Sequence, residues 1–171
     1  VKGIGGAVQV ESSPGKGTQF RVYFPMEKGD AEDKSPHLDA EKLTGGTETI
    51  LLVDDEEIVI TTLTKILNRL GYRVIPCSEG NEALTVFRNT PDRVDLVITD
   101  MTMPRMTGDN LAAALKQIRP DIPVLICTGF SETLSGKTPE DLNVQGILTK
   151  PIVMKDLAAK VREVLGRSRP D

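Results

Sequence analysis

A chain of 171 residues has room for one domain of ordinary size plus an appendage, and it can bury enough core to fold without disulfides or a structural metal. Hydrophobic residues at 39% and charged residues at 27% are the balance of a soluble globular protein, with no apolar run near the roughly 20 residues that span a bilayer. A net charge of −4 argues against an electrostatic grip on nucleic acid or membrane, and a single histidine excludes metal sites that need several.

Residues 1–25 hold two runs rich in valine and aromatics, 7–10 and 19–24, around the turn sequence Ser13-Pro14-Gly15-Lys16-Gly17. A hairpin alone is marginal in water, so this piece reads as the remnant of something larger. Composition changes over 26–47. That stretch has six acidic residues against three lysines and almost nothing to build a core, which predicts a mobile linker. His37 lies inside it and reads as a solvated side chain, not a catalytic one. A larger domain follows over 48–167, with a short tail at 168–171.

Within 48–167 the periodicity is regular. Residues 49–53 form an apolar strand, and Val59, Leu63, Ile66, Leu67 and Leu70 make one helical stripe stopped by Gly71. A strand is expected at 72–76, a helix at 81–88, a strand at 94–99, a helix at 109–118, a strand at 123–127 and a strand at 146–149. A last helix at 154–165 buries Leu157, Val161, Val164 and Leu165. Gly136 and Pro139 allow at most a short or broken helix within 130–145. Near-continuous apolar strands alternating with helices predict an α/β fold, a five-stranded parallel sheet covered on both faces. Cys77 and Cys127 lie in apolar contexts and read as buried thiols in a reducing compartment.

Ligands of such sheets sit beyond the carboxyl ends of the strands. Those ends carry Asp54 and Asp55 with Glu56 behind, then Asp100, Thr128 and Lys150 before Pro151. Crowded carboxylates repel each other unless a cation intervenes, and Mg²⁺ suits because it keeps waters and needs few protein oxygens. With metal and ammonium facing it, Asp100 would be the nucleophile toward a phosphoryl group, and the Thr128 hydroxyl would donate to a phosphoryl oxygen. Acidic residues after strands also cap helices. The conjunction of all five positions is what points to chemistry.

Four segments, ILLVDDE at 50–56, DLVITDMTMPRMTG at 95–108, PVLICTGF at 123–130 and ILTKP at 147–151, closely resemble a response-regulator receiver domain, the CheY-like module of two-component signalling. The resemblance implies a doubly wound (βα)5 flavodoxin-like fold with Asp100 as phosphoacceptor. It implies Mg²⁺ held by Asp55, Asp100 and the main-chain carbonyl of Thr102, with Asp54 acting nearby through a water. Thr128 would follow the phosphoryl group, Lys150 would bridge to it, and the Lys150–Pro151 bond would be cis. Ile147 stands where many relatives carry an aromatic switch residue. Phe130, two residues after Thr128, is a candidate shield of an acyl phosphate from water.

The segment 5–25 is similar to the final hairpin of a histidine-kinase ATP-binding domain, with no other kinase element in the chain. The order implies the carboxyl-terminal part of a hybrid histidine kinase, cytoplasmic, and a partner that is a histidine kinase or a histidine-phosphotransfer protein. Direct nucleic-acid or membrane contact is not expected. Two alternatives stay open. A Mg²⁺-dependent phosphatase with an aspartyl nucleophile would want an acid where Thr102 stands. A flavodoxin-like nucleotide or flavin binder would want a phosphate loop where Asp54-Asp55-Glu56 stands.

Overall fold

A computed structural model describes residues 6–25, 45–129 and 138–167. They fall into two units, one holding 6–25 and the other the rest. Most of the expected linker, and Phe130 and Gly136, lie outside the described residues.

In the first unit, β1 (Ala7–Ser13) and β2 (Gly17–Tyr23) pair antiparallel. Val8 faces Val22 and Val10 faces Phe20, so these four share one face, while Gln9, Glu11, Gln19 and Arg21 take the other. The strands run further toward the turn than their apolar residues predict. The extension is polar: Ser12 Oγ and Thr18 Oγ1 lie 2.8 Å apart, and Arg21 pairs with Glu11 at 2.7 Å.

The second unit is a five-stranded parallel sheet. Its strands are β3 (Thr49–Val53), β4 (Arg73–Cys77), β5 (Leu96–Asp100), β6 (Val124–Thr128) and β7 (Gly146–Thr149), in the order β4-β3-β5-β6-β7. Its helices are α1 (Glu57–Arg69), α2 (Gly80–Asn89), α3 (Gly108–Ile118) and α4 (Met154–Arg167). Strand alternation sends Leu51, Val53, Val97 and Ile126 to one face, where Phe87 of α2 and Leu111 and Leu115 of α3 pack. Ile50, Leu52, Ile98 and Cys127 pack on the other face with Leu63 and Leu67 of α1 and Leu157, Val161 and Val164 of α4. Both faces are covered, which is why these strands read as continuous apolar runs. After α1 the chain pairs β4 on one side of β3, then places β5 on the other. The reversal opens a crevice at the carboxyl ends of β3 and β5.

The helices lie where the periodicity predicts, and α1 gives way to Gly71 at φ 94°, a left-handed position that glycine takes without strain. Three strands start one or two residues later than expected. Val94 is fully buried yet precedes β5, because Arg119 holds the connection before it. The Arg119 guanidinium donates to Pro91 O at 2.5 Å and Val94 O at 2.6 Å, and lies 5.5 Å from the Phe87 ring centroid. That clamp secures a single 3₁₀ turn at Pro91–Arg93, too short for periodicity to reveal. Residues 138–145 form hydrogen-bonded turns and no helix, with the Thr138 N–H and hydroxyl each donating to Asp141 Oδ2 at 2.9 Å. Cys77 and Cys127 are buried and free, and burial pushes their thiols up to about 11 and about 12. Among the described residues no helix is long and apolar enough to cross a membrane.

At the opposite end of the sheet from the crevice, Arg162 of α4 donates to Glu48 Oε1 at 3.0 Å and reaches the Tyr72 hydroxyl at 3.5 Å. Burial pushes the Glu48 carboxyl up, but backbone donors and Arg162 outweigh that and hold it below the usual carboxylate range. Removing the cation leaves a buried carboxylate uncompensated, with one oxygen already lacking a partner. Arg162→Met is therefore expected to destabilise this unit by about 2 kcal/mol, less than a fully buried pair because the guanidinium is partly exposed. Urea unfolding at neutral pH measures it.

Candidate functional site

Parallel pairing brings the ends of β3, β5 and β6 level, since Val53 faces Thr99 and Asp100 faces Cys127. Asp54 follows β3 directly and Asp100 closes β5. Both are buried, 2% and 7% exposed, in a cleft whose walls are apolar strands. Lys150, at the end of β7, reaches across both. Its ammonium lies 2.6 Å from Asp100 Oδ1, 2.9 Å from Asp54 Oδ2 and 3.8 Å from Glu56 Oε1. The peptide bond after it, Lys150–Pro151, is cis, as the resemblance implied.

The second oxygen of each aspartate is held by main chain. The Thr102 N–H donates to Asp100 Oδ2 at 2.7 Å, and the Glu56 N–H donates to Asp54 Oδ1 at 2.9 Å. Asp100 is thus fixed through both oxygens, one on a cation and one on an amide. Thr128 closes β6, 3% exposed, and its main-chain carbonyl accepts from the Lys150 N–H at 2.8 Å, so threonine and lysine belong to one hydrogen-bonded unit. Asp55 sits beside Asp54 with its side chain exposed, and Thr102 is exposed on the loop after β5.

Electrostatics follows from burial. Desolvation pushes the Asp54 carboxyl above its ordinary value, although the Glu56 amide and Lys150 pull the other way, and the Asp100 charge adds to the rise. Burial alone would lower the Lys150 ammonium, but hydrogen bonds to Asp100 and Asp54 outweigh it and hold the lysine well above its ordinary range. It stays a cation at any physiological pH.

The donors here are oxygens, and three carboxylates (Asp54, Glu56 and Asp100) lie beside one ammonium, with Asp55 next in sequence, an excess of negative charge that suits a hard cation. Among the described residues no three Asp, Glu, His or Cys side chains already form a metal cluster. A Mg²⁺ ion asks for less, one or two carboxylates with waters and a carbonyl. The residues present fit it.

Some determinants have no motif of their own. Gly108 begins α3 directly against the end of β5, where a Cβ would lie 2.2 Å from Asp100 O. Beside Lys150, the side chains of Ile58, Val59, Thr62, Leu63, Pro151 and Ile152 line a shallow apolar groove, and Ile58 is 76% exposed at its rim. Arg105 pairs with Glu79 across two loops, a contact 26 residues apart that no spacing rule anticipates.

The family model of the response regulator receiver domain matches residues 50–162. The chain belongs to that family. Over the receiver, a crystal structure of a receiver domain protein from Clostridium thermocellum superposes with TM-score 0.67 at 28% identity, covering 70% of this chain and 95% of that one. The receiver domain of the hybrid histidine kinase CckA gives TM-score 0.57 at 29% identity, covering 68% and 98%. The sensor kinase CckA of Brucella abortus (strain 2308) is 34% identical over 173 aligned positions, covering 96% of this chain. The chain spans only 18% of that relative's length and about half, 49%, of other curated relatives it matches.

Proposed function

We propose that this receiver is a phosphorelay switch: Asp100 takes a phosphoryl group from a phosphohistidine and later loses it to water. The observation that carries the reading is the fixation of Asp100, with Oδ1 on the Lys150 ammonium and Oδ2 on the Thr102 amide in a buried cleft. One carboxylate oxygen attacks phosphorus while the bond to the histidine nitrogen breaks, and the aspartyl phosphate keeps the extra charge beside Lys150. Asp54, Asp55, Asp100 and the Thr102 carbonyl would hold Mg²⁺, which supplies charge neutralisation at the transferring oxygens. Thr128 donates its hydroxyl to a phosphoryl oxygen and so registers the modification. Because Lys150 N–H and Thr128 O are already bonded, movement of either shifts the surface around β6 and β7. A phosphatase reading is weaker, because Thr102 is no acid and its amide is already spent on Asp100.

The donor is a histidine kinase or a histidine-phosphotransfer protein, and the apolar groove beside Lys150 offers its helix a place to lie. Kinship with a sensor kinase across 96% of the chain takes in the hairpin as well as the receiver, which supports an origin in a hybrid kinase. Incubation with acetyl phosphate and Mg²⁺ tests the chemistry. Intact-mass analysis should show one added phosphoryl group that hydroxylamine removes, and excess EDTA should prevent it. No adduct with Mg²⁺ present, or an adduct stable to hydroxylamine, would refute the proposal.

A further inference from the structure

Arg105 lies in the left-handed region, φ 67°, which a residue with a Cβ adopts only under strain. It is the middle of a three-residue turn closed by the Met106 N–H donating to Pro104 O at 2.8 Å. The turn belongs to the loop that carries Thr102, whose amide fixes Asp100 Oδ2. The ends of that loop are anchored independently, Met101 N–H on Cys127 O at 2.8 Å and Gly108 N–H on Met101 O at 2.9 Å. Its middle is held from outside by two adjacent residues at the start of α2. The Arg105 guanidinium pairs with the Glu79 carboxylate. Met106 packs over Gly80, where a Cβ would come within 2.9 Å of Met106 Cβ.

Glycine would take this φ without strain, yet it could not reach Glu79. We infer that Arg105 is a positioning residue: its ion pair with Glu79 holds the strained turn, and through it the Thr102 amide, in the place that orients Asp100 for phosphoryl transfer. The inference rests on Asp100 being the acceptor. An exposed pair such as this contributes little to global stability, so its effect falls on the geometry of the loop between β5 and α3. Small displacements of an orienting group are costly in rate because the reacting oxygen must already be in line.

The test compares Arg105→Gln, Glu79→Gln, Arg105→Lys and the charge-reversed double variant Glu79→Arg with Arg105→Glu. Three quantities are read: phosphate uptake from acetyl phosphate with Mg²⁺, hydrogen exchange at the Thr102 amide by NMR, and melting temperature. Each Gln variant is expected to lower the maximal rate about tenfold with half-saturating acetyl phosphate unchanged. Thr102 exchange quickens in both, while melting temperature holds within about 2 °C. Arg105→Lys and the double variant recover rate and protection. Wild-type rate and Thr102 exchange in Arg105→Gln, or a double variant no better than the singles, overturns the inference. A wild-type protein that takes up no phosphate overturns the acceptor reading instead, and the Thr102 exchange rates still decide whether the pair holds the loop.

Discussion

An Asp100→Asn receiver is expected to incorporate no phosphate from acetyl phosphate and Mg²⁺ under conditions that label the wild type fully. The substitution keeps shape and volume, so the cleft persists, but a carboxamide has no anionic oxygen to attack phosphorus. The fold should survive and even gain. Lys150 keeps its bond to Asp54 at 2.9 Å, and the Asp100 charge that helps to raise the Asp54 carboxyl is gone. A melting temperature equal to or above that of the wild type, together with complete loss of the hydroxylamine-labile adduct, separates chemistry from folding. Labelling at the wild-type level would move the acceptor elsewhere.

Lys150→Met should be the other large effect, and it acts on both rate and stability. Removing the ammonium takes away a preorganised charge aimed at the incoming phosphoryl oxygens, a loss on the order of 10²–10³ in uptake rate. It also leaves Asp54 and Asp100 close together and buried without their shared counter-ion. The expected cost is about 2 kcal/mol, below that for a fully enclosed pair because the ammonium is partly exposed. The pH dependence has a defined sign. Lys150 is held above its ordinary value of 10.5, so its contribution is whole below that pH and is lost as pH rises through the folded-state value. The stability gap between wild type and variant should therefore persist from neutrality up to that pH and, on the alkaline side, close only in strong alkali. Asp54 acts in the opposite sense. Its raised folded-state value means that its burial costs stability at neutral pH, and that cost is returned as pH falls through that value. Denaturant titrations of both proteins across pH decide this, and a gap that closed between neutrality and pH 10.5 would contradict the assignment.

Much of the site was legible because each chemical group sits at the end of an apolar run. Asp54 and Lys150 follow, and Asp100 and Thr128 close, strands whose apolar pattern is unambiguous, and a parallel sheet must bring such ends to one edge. Strand boundaries were less legible. Val94 is as apolar as a strand residue, and only the Arg119 clamp explains why β5 begins two residues later. The hairpin strands were read short for the converse reason, since their last pairs are polar and paired across rather than buried.

Local pattern alone determined that this chain is an α/β protein with a hairpin ahead of it, and which side chains stand at the strand ends; the resemblance of those ends to a known family added that it is a receiver. Tertiary structure decided the strand order β4-β3-β5-β6-β7, the sharing of Lys150 between Asp54 and Asp100, the close seat of Gly108 under Asp100, and the bridge from Arg105 to Glu79. Periodicity reports only which way a side chain faces its own sheet or helix. Contacts between residues 26 or 96 positions apart depend on how separate elements are stacked, and that information appears only when the chain has folded.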